Sequence, residues 1–144
     1  MNYTTRYTPA EEIANSITHG LGILVSIGGL GVLTAFASQM FVLWAMASNP
    51  FFVTTVRIQV ERQHTAISAG PYRLVRHPGY LGSVIYNLAV PLVLGSWWTL
   101  IPALITIVLI VVRTALEDKT LHAELADYPE YARAVHFRLI PGLW

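Results

Sequence analysis

The sequence predicts an all-α integral membrane helical bundle of about four transmembrane helices, arranged in two hairpins. Of its 144 residues, 54% are hydrophobic and only 12% are charged, whereas about a quarter are charged in an ordinary soluble domain. No Asp, Glu, Lys or Arg occurs from Ile13 to Val56 or from His77 to Val112. Because about 20 apolar residues cross a bilayer as a helix, each run has room for a helical hairpin.

The first helix is predicted to begin at Pro9. The sequence Thr8-Pro9-Ala10-Glu11 matches a capping box with proline at the first helical position. An amphipathic entry segment to about Thr18 leads into a first span over Gly20 to Ala37. Small residues let membrane helices approach each other, so we expect close packing at four glycines of this span, Gly22, Gly28, Gly29 and Gly31.

A turn near Ser38-Gln39 is expected to lead into a second span over about Phe41 to Val56. Pro50 lies near the end of this span and predicts a kink, since proline removes a helical hydrogen bond. Residues 57–76 carry four arginines and form a polar connection, which we place at the membrane face.

The second hairpin is predicted to start at His77-Pro78 and to cross as Tyr80 to Leu94. Trp97 and Trp98 follow the turn Gly95-Ser96, where aromatic side chains favour the membrane interface. A fourth span over about Leu100 to Val112 should continue into water as far as about Ala126. A short helix with Glu130, Tyr131 and Arg133 then completes the chain, and we expect Tyr128 and Tyr131 to pack the C-terminal segment.

Lys and Arg cluster before the first span, in the central connection and after the last span, and the two intervening turns have none. The positive-inside rule therefore predicts a multi-pass protein with both termini and the connection in the cytoplasm. Residues Met1 to Ala10 lack a basic signal-peptide start, so the first helix is expected to remain in the mature protein. A bacterial inner membrane is the expected location.

Composition excludes several classes of function. The net charge of +1 is not massed as a nucleic-acid binder requires, so we expect no nucleic-acid partner. The absence of cysteine excludes a disulfide framework, a thiolate nucleophile and a cysteine metal site. We predict no metal site of any kind.

The most informative polar segment is Gly70 to Gly82, which contains Arg-His-Pro-Gly-Tyr-Leu-Gly at its end. This motif, with the acidic pair Glu117-Asp118 after the next apolar span, resembles the signature of the isoprenylcysteine carboxyl methyltransferase and phospholipid methyltransferase superfamily. The resemblance covers about residues 49–144. It implies S-adenosylmethionine as cofactor, in a pocket closed by the cytosolic connection and C-terminal helices. It also implies a lipophilic or prenylated substrate that enters from the bilayer.

The resemblance assigns most of the candidate site residues. Those implied to contact the cofactor are Gln59, His64, Thr65, Ala66, Ile67, Tyr72, His77, Pro78, Gly79, Tyr80 and Glu117, and Arg113 lies on the substrate side. Arg76 joins the cofactor set on chemical grounds, since it or His77 can meet the cofactor carboxylate. Glu117 is preferred over Asp118, but the sequence leaves that choice open.

The first part of the chain has a different resemblance. Glu11 to Gly22 reads Glu-Glu-Ile-Ala-Asn-Ser-Ile-Thr-His-Gly-Leu-Gly, which resembles the opening of hemolysin III family membrane proteins over about residues 7–36. We therefore expect two parts, an N-terminal segment of residues 1–40 and a methyltransferase-like core of residues 41–144. His19 is expected to be a helix-packing residue, not a metal ligand.

Three functions follow as hypotheses. The first is carboxyl O-methylation of an isoprenylcysteine-like or other lipophilic substrate, favoured because Arg113 suits a carboxylate. The second is phospholipid-type N-methylation. The third is a catalytically silent membrane interaction protein, which would be favoured if the fold held Glu117 away from His77 and Tyr80. The methyl acceptor and the oligomeric state stay open.

Overall fold

A computed structural model describes residues 8–53 and 60–144, and these residues are helical with no strand. Four α-helices follow in order: α1, Pro9–Ser48; α2, Pro78–Leu94; α3, Leu100–Glu124; and α4, Tyr128–Ala134. Short 3₁₀ turns lie at Val60–Arg62, Gly70–Arg73 and Trp97–Thr99. The all-α class expected from the sequence is confirmed.

The predicted start of α1 is confirmed. The Thr8 backbone N–H donates to Glu11 Oε2 at 2.7 Å, and the Glu11 N–H donates to Thr8 Oγ1 at 3.4 Å. The helix ends at Ser48 because Pro50 disfavours a helical conformation at Asn49, whose side chain accepts from the Phe51 N–H at 2.9 Å.

The sequence-based expectation of a turn near Ser38-Gln39 is wrong. The chain passes through this point as one continuous 40-residue helix, so residues 20–37 and 41–48 lie in the same helix and do not form a hairpin. Ser38 is accommodated because its hydroxyl donates to the Ala35 carbonyl at 2.8 Å. Among the described residues, α1 and α3 are long and apolar enough to cross a membrane, and α2 is a shorter apolar helix.

Helices α1 and α2 pack closely in antiparallel order. A Cβ on Gly82 of α2 would lie 2.5 Å from Val42 Cγ2, and one on Gly31 of α1 would lie 2.9 Å from Leu92 Cβ. These two contacts set the lateral position of the helices, so residues 31–48 lie along α2. The other glycines expected to pack, Gly22, Gly28 and Gly29, have nothing within 4 Å of a Cβ because they lie beyond the end of α2.

The rest of the second hairpin agrees with its predicted bounds. Gly95 ends α2 in the left-handed conformation, at φ 58°, which glycine adopts without a steric penalty. Trp97 and Trp98 are 84% and 81% exposed, as expected of interfacial aromatic residues. Helix α3 runs past the apolar span to Glu124, close to the expected end at Ala126.

The C-terminal segment folds back onto the start of α2. The backbone N–H groups of Arg76 and His77 donate to the carbonyls of Phe137 and Arg138 at 2.9 and 3.0 Å. A small core then forms at this end of the molecule from Ala45, Tyr72, Leu125, Tyr128, Tyr131 and Val135. The tyrosines therefore pack the C-terminal segment as predicted.

Candidate functional site

A cavity of about 290 Å³ lies where α1 ends, α2 begins and the connection meets α3 and α4. Its walls come from the end of α1, the connection, α2, α3 and α4. The residues that line it are Asn49, Phe51, Phe52, Val53, His64, Thr65, Ala66, Ile67, Tyr72, Arg76, His77, Gly79, Tyr80, Arg113, Glu117, Leu121, Leu125, Tyr128 and Tyr131.

Eleven of the thirteen candidate residues from the sequence line this one cavity. They are His64, Thr65, Ala66, Ile67, Tyr72, Arg76, His77, Gly79, Tyr80, Arg113 and Glu117. Pro78 is buried at the first turn of α2 and shapes the helix start without lining the cavity. Gln59 lies outside the described residues.

The connection is held over the cavity by two contacts to the C-terminal segment. The Ala66 N–H donates to Asp127 Oδ2 at 2.9 Å, and the Tyr131 hydroxyl donates to the Tyr72 carbonyl at 2.8 Å. Gly70 has a φ of 55°, and a Cβ there would clash with the Ser48 side chain. The left-handed turn and the close approach to α1 together require glycine at this position.

A series of hydrogen-bonded side chains in the cavity wall links α3 to α2. Arg113 Nε donates to the Tyr80 hydroxyl at 2.6 Å, and that hydroxyl donates to Glu117 Oε2 at 2.6 Å. The Arg113 guanidinium carbon also lies 5.6 Å from the centre of the Tyr80 ring. Because Arg113 and Glu117 lie one turn apart on α3, one tyrosine contacts both. Glu117 and Tyr80 are therefore together, and His77 stacks on Tyr80 at 5.8 Å between ring centres.

Asp118, the neighbour of Glu117, points away into a buried network. Its side chain is 2% exposed and accepts hydrogen bonds from Arg76 Nε, Arg138 Nε and the Tyr128 hydroxyl, each at 2.9 Å. His77 Nε2 lies 3.4 Å from Asp118 Oδ1. A carboxylate buried among these donors is fully occupied by the protein. Glu117 is thus the member of the acidic pair that faces the cavity.

Arg76 has a larger structural role than the sequence indicated. Beyond its bonds to Asp118, its Nη1 lies 3.2 to 3.4 Å from the carbonyl oxygens of Ala132, Val135 and His136. Its side chain is 7% exposed. These contacts attach the C-terminal segment to the start of α2, so Arg76 lines the cavity chiefly as a structural group.

Aromatic and polar residues that the sequence did not assign to the site complete its walls. Asn49 Nδ2 donates to the Tyr72 hydroxyl at 3.2 Å, and Phe51 packs on the His64 ring at 4.4 Å between centres. Tyr128 and Tyr131 supply a further wall from α4. Two sequence signals could have assigned these residues to the site: the helix-breaking Asn49-Pro50 pair and the aromatic residues near Pro129.

Burial is the main cause of the pKa shifts of the titratable groups in the connection and α4. Burial raises the pKa of Tyr128 and Tyr131, and the negative charge of Asp118 raises that of Tyr128 further. Both hydroxyls therefore stay protonated and donate hydrogen bonds. Burial lowers the pKa of His64, while the charge of Asp127 acts against that shift. The walls thus present neutral aromatic groups, with charge concentrated at Arg113 and Glu117.

Comparison with known proteins finds a family match over most of the chain. Residues 30–123 match the model of the isoprenylcysteine carboxyl methyltransferase (ICMT) family. Probable protein-S-isoprenylcysteine O-methyltransferases from Oryza sativa subsp. indica and subsp. japonica are each 36% identical over 89 residues, which is 59% of this chain and 46% of theirs. The chain thus spans less than half the length of these curated relatives.

The N-terminal resemblance is also confirmed. A Hemolysin-3 homolog from Bacillus subtilis (strain 168) is 46% identical over 46 residues, which is 32% of this chain and 22% of that protein. No solved structure matches the chain. Since the family model covers well over half of the sequence, including α2 and most of α3, the chain belongs to the isoprenylcysteine carboxyl methyltransferase family.

Proposed function

We propose that this protein is an S-adenosylmethionine-dependent methyltransferase that esterifies a carboxylate of an isoprenylcysteine-like or other lipophilic substrate. The observation that carries the proposal is the Arg113, Tyr80 and Glu117 chain at the wall of the aromatic cavity. Family membership supports methyl transfer, and the similarity to the rice probable protein-S-isoprenylcysteine O-methyltransferases supports an isoprenylcysteine-like acceptor.

The cavity fits S-adenosylmethionine in its chemistry. Its 290 Å³ lie at the lower end of the range of about 300–1,000 Å³ for small-molecule sites. Tyr72 and Tyr80 offer aromatic faces to a purine ring or a sulfonium, and Glu117 can accept from a hydroxyl or an ammonium group. The proposed cofactor-binding set is Gln59, His64, Thr65, Ala66, Ile67, Tyr72, His77, Gly79, Tyr80 and Glu117. We propose that Arg76 and Pro78, the other two expected residues, hold the cavity wall in position. When bound, the cofactor supplies an electrophilic methyl group carried on sulfur.

Arg113 is proposed to bind the substrate carboxylate. It is exposed on α3 at the edge of the cavity, between exposed Val112 and Leu116 on the apolar surface of the same helix. A lipid-borne anion can therefore reach the guanidinium from the bilayer, whereas a substrate amine would be repelled. Tyr80 orients Arg113 through its hydroxyl and couples its position to Glu117.

The protein's own part in catalysis is to align the reactants and exclude water. Methyl transfer is an in-line displacement that needs no enzyme nucleophile, which suits a chain without cysteine. Buried Tyr128 and Tyr131 close one side of the cavity, and the connection closes another through the Ala66 to Asp127 bond. A site closed on these sides favours ester formation over hydrolysis.

Cofactor binding is tested by calorimetry on detergent-purified protein. We expect saturable S-adenosylmethionine binding to the wild type, with an affinity that is at least tenfold lower in Glu117→Ala and in His77→Ala. Lys119→Ala, an exposed change on the same helix, is the matched control and should bind as the wild type does. Absence of binding in a folded, monodisperse wild-type sample would overturn the proposal and favour the silent interaction protein.

The acceptor class is tested with a matched pair of substrates. An N-acetylated S-prenylcysteine and its C-terminal amide differ only in the carboxylate, so transfer of a labelled methyl to the acid alone is expected. Phosphatidylethanolamine tests the N-methylation alternative in the same assay. Methylation of that amine but not of the prenylcysteine would show the carboxylate assignment of Arg113 to be wrong.

We further propose that residues 1–40 serve insertion and packing, and that the chemistry belongs to residues 41–144. Of residues 8–48, which the structure describes, none lines the cavity, and Ile13 to Leu24 present exposed apolar side chains. The proposed setting is a multi-pass protein of a bacterial inner membrane with the connection and the C-terminus in the cytoplasm. The expected cytoplasmic N-terminus does not agree with this fold, because α1 runs antiparallel to α2 as one continuous helix and its Pro9 end lies beyond the opposite end of α2. Removal of residues 1–27, which spares the Gly31 contact, should leave cofactor binding unchanged in a folded protein.

A further inference from the structure

The chain ends in a compact turn, residues 139–144, which we term the C-terminal hook. The backbone N–H groups of Leu139 and Ile140 donate to the Trp144 carbonyl at 3.0 and 3.1 Å, and the Trp144 N–H donates back to the Ile140 carbonyl at 3.1 Å. The hook turns two of its apolar side chains outward, since Leu143 is 76% exposed and Ile140 is 41% exposed, whereas Leu139 is buried. A closed turn with outward apolar side chains leaves that surface without a partner within the described chain.

An open groove continues this apolar surface beside the hook. Its volume is about 330 Å³, and it is lined by Arg73, Leu74, Ala134, Val135, His136, Phe137 and Pro141. Leu74 and Phe137 are exposed there, and Arg73 and His136 add basic groups. Neither residues 66–82 nor residues 131–144 contain Asp or Glu. The side chains of this surface are therefore apolar or basic.

The fold fixes the depth of this surface relative to the apolar helices. Helix α2 is about 26 Å long at 1.5 Å per residue, close to the roughly 30 Å of a bilayer core, so its first residue, Pro78, lies at one membrane face. The exposed Trp97 and Trp98 mark the other face. The backbone bonds of residues 76 and 77 to residues 137 and 138 hold the hook at the level of Pro78.

Contacts to α3 give the same depth independently. Arg138, next to the hook, donates to Asp118 at 2.9 Å and stacks on Trp144 at 5.2 Å from the ring centre. Asp118 also contacts His77, so it marks the same level on α3. Glu124 lies six residues farther along that helix, about 9 Å farther from the membrane core.

We infer that the C-terminal hook and its groove form an anchor that inserts into the headgroup region of the bilayer. Leu143, Ile140, Leu74 and Phe137 would leave water, and Arg73 would lie among anionic headgroups. The partner is thus a lipid surface, continuous with the lipid around α2. The anchor holds the C-terminal segment against the start of α2, where His77 lies. This inference depends on the membrane level of α2 and not on the proposed reaction.

Site-directed fluorescence tests this directly, because the chain has no native cysteine. Leu143→Cys and, as control, Glu124→Cys are labelled with an environment-sensitive fluorophore and placed in phosphatidylcholine liposomes with and without phosphatidylglycerol. We expect the label at position 143 to be blue-shifted and quenched at least twofold by lipids with a doxyl group near the headgroup. The label at position 124 should keep the emission of a water-exposed group.

The outcomes separate lipid contact from the alternatives. Stronger quenching at position 143 with phosphatidylglycerol supports both the apolar and the basic part of the anchor, and equal quenching in the two membranes contradicts the basic part. Equal, weak quenching at positions 143 and 124 overturns the anchor. A label at 143 that is blue-shifted already in detergent and insensitive to doxyl lipids would mean that a second copy of the chain covers the hook, which also overturns it.

Discussion

The two adjacent acids Glu117 and Asp118 should respond to neutralisation in opposite ways. Asp118→Asn keeps the volume of the side chain but removes the charge that Arg76 and Arg138 contact at 2.9 Å each. Removing one partner of a buried ion pair costs about 3–5 kcal/mol, because the charge of Arg76 then stays buried without compensation, whereas Arg138 is partly exposed to solvent. At about 3 °C per kcal/mol for a chain of this size, we expect the melting temperature to fall by roughly 10–15 °C.

Glu117→Gln is the matched change one residue away. Glu117 is only partly buried, and it receives a hydrogen bond from the Tyr80 hydroxyl at 2.6 Å, which an amide oxygen can still accept. We expect the melting temperature to change by less than about 3 °C, the size of one ordinary hydrogen-bond effect. Binding of S-adenosylmethionine should instead fall at least tenfold.

Both variants are measured by thermal unfolding in detergent, followed by intrinsic fluorescence, and by calorimetric cofactor binding to the protein that remains folded at 20 °C. The reasoning is refuted if Asp118→Asn melts within 3 °C of the wild type, since its carboxylate would then not hold the C-terminal segment. A large loss of stability in Glu117→Gln would equally contradict the assignment of Glu117 to the cavity.

Three further changes test the packing and the site. Gly82→Ala places a Cβ 2.5 Å from Val42 Cγ2, so it should push α1 away from α2 and lower the stability measured by thermal unfolding by about 1–3 kcal/mol. Gly28→Ala is the control, because a Cβ there has nothing within 4 Å, and it should not lower the stability. Tyr80→Phe removes the hydroxyl that is hydrogen-bonded to both Arg113 and Glu117, and each such bond to a charged group is worth about 1.5–3 kcal/mol. The rate of methyl transfer should therefore fall at least tenfold with the fold retained. An unchanged rate would argue against a role for these two hydrogen bonds. Tyr131→Phe removes a buried donor to a connection carbonyl and should lower stability by about 1–3 kcal/mol in the same unfolding assay, and no effect would show that this bond does not hold the connection.

The site was predictable where a short motif carries it. The segment from Gly70 to Tyr80 combines a positive-φ glycine, a helix-starting proline and polar side chains at the mouth of an apolar run. Five of its residues line one cavity: Tyr72, Arg76, His77, Gly79 and Tyr80. Spacing also brought Arg113 and Glu117 onto one face of α3. Hydrogen-bond partners were not predictable, because the sequence does not say which acid turns inward: Asp118 is buried and Glu117 faces the cavity.

The expectation of a hairpin in α1 failed for a physical reason. Between Ile13 and Val56 no charged residue marks a turn, and Ser38-Gln39 carries side chains that a helix accommodates, as the Ser38 bond to Ala35 demonstrates. Hydropathy measures how much apolar length exists, but it does not determine where the chain reverses. Only the first strong helix breaker, Asn49-Pro50, ends the helix.

The lateral position of α1 on α2 has a consequence for how the protein meets its membrane. Residues 31–48 match the length of α2, so residues 9–30 extend about 33 Å beyond it, with Leu24 and Val25 68% and 74% exposed. Such an overhang is a hydrophobic mismatch, which membranes and proteins relieve by tilting or bending the helix or by associating with another surface. A detergent micelle that covers only the length of α2 leaves the apolar N-terminal half of α1 in water, where it can associate with other copies. The choice of detergent will therefore decide whether purified samples stay monodisperse.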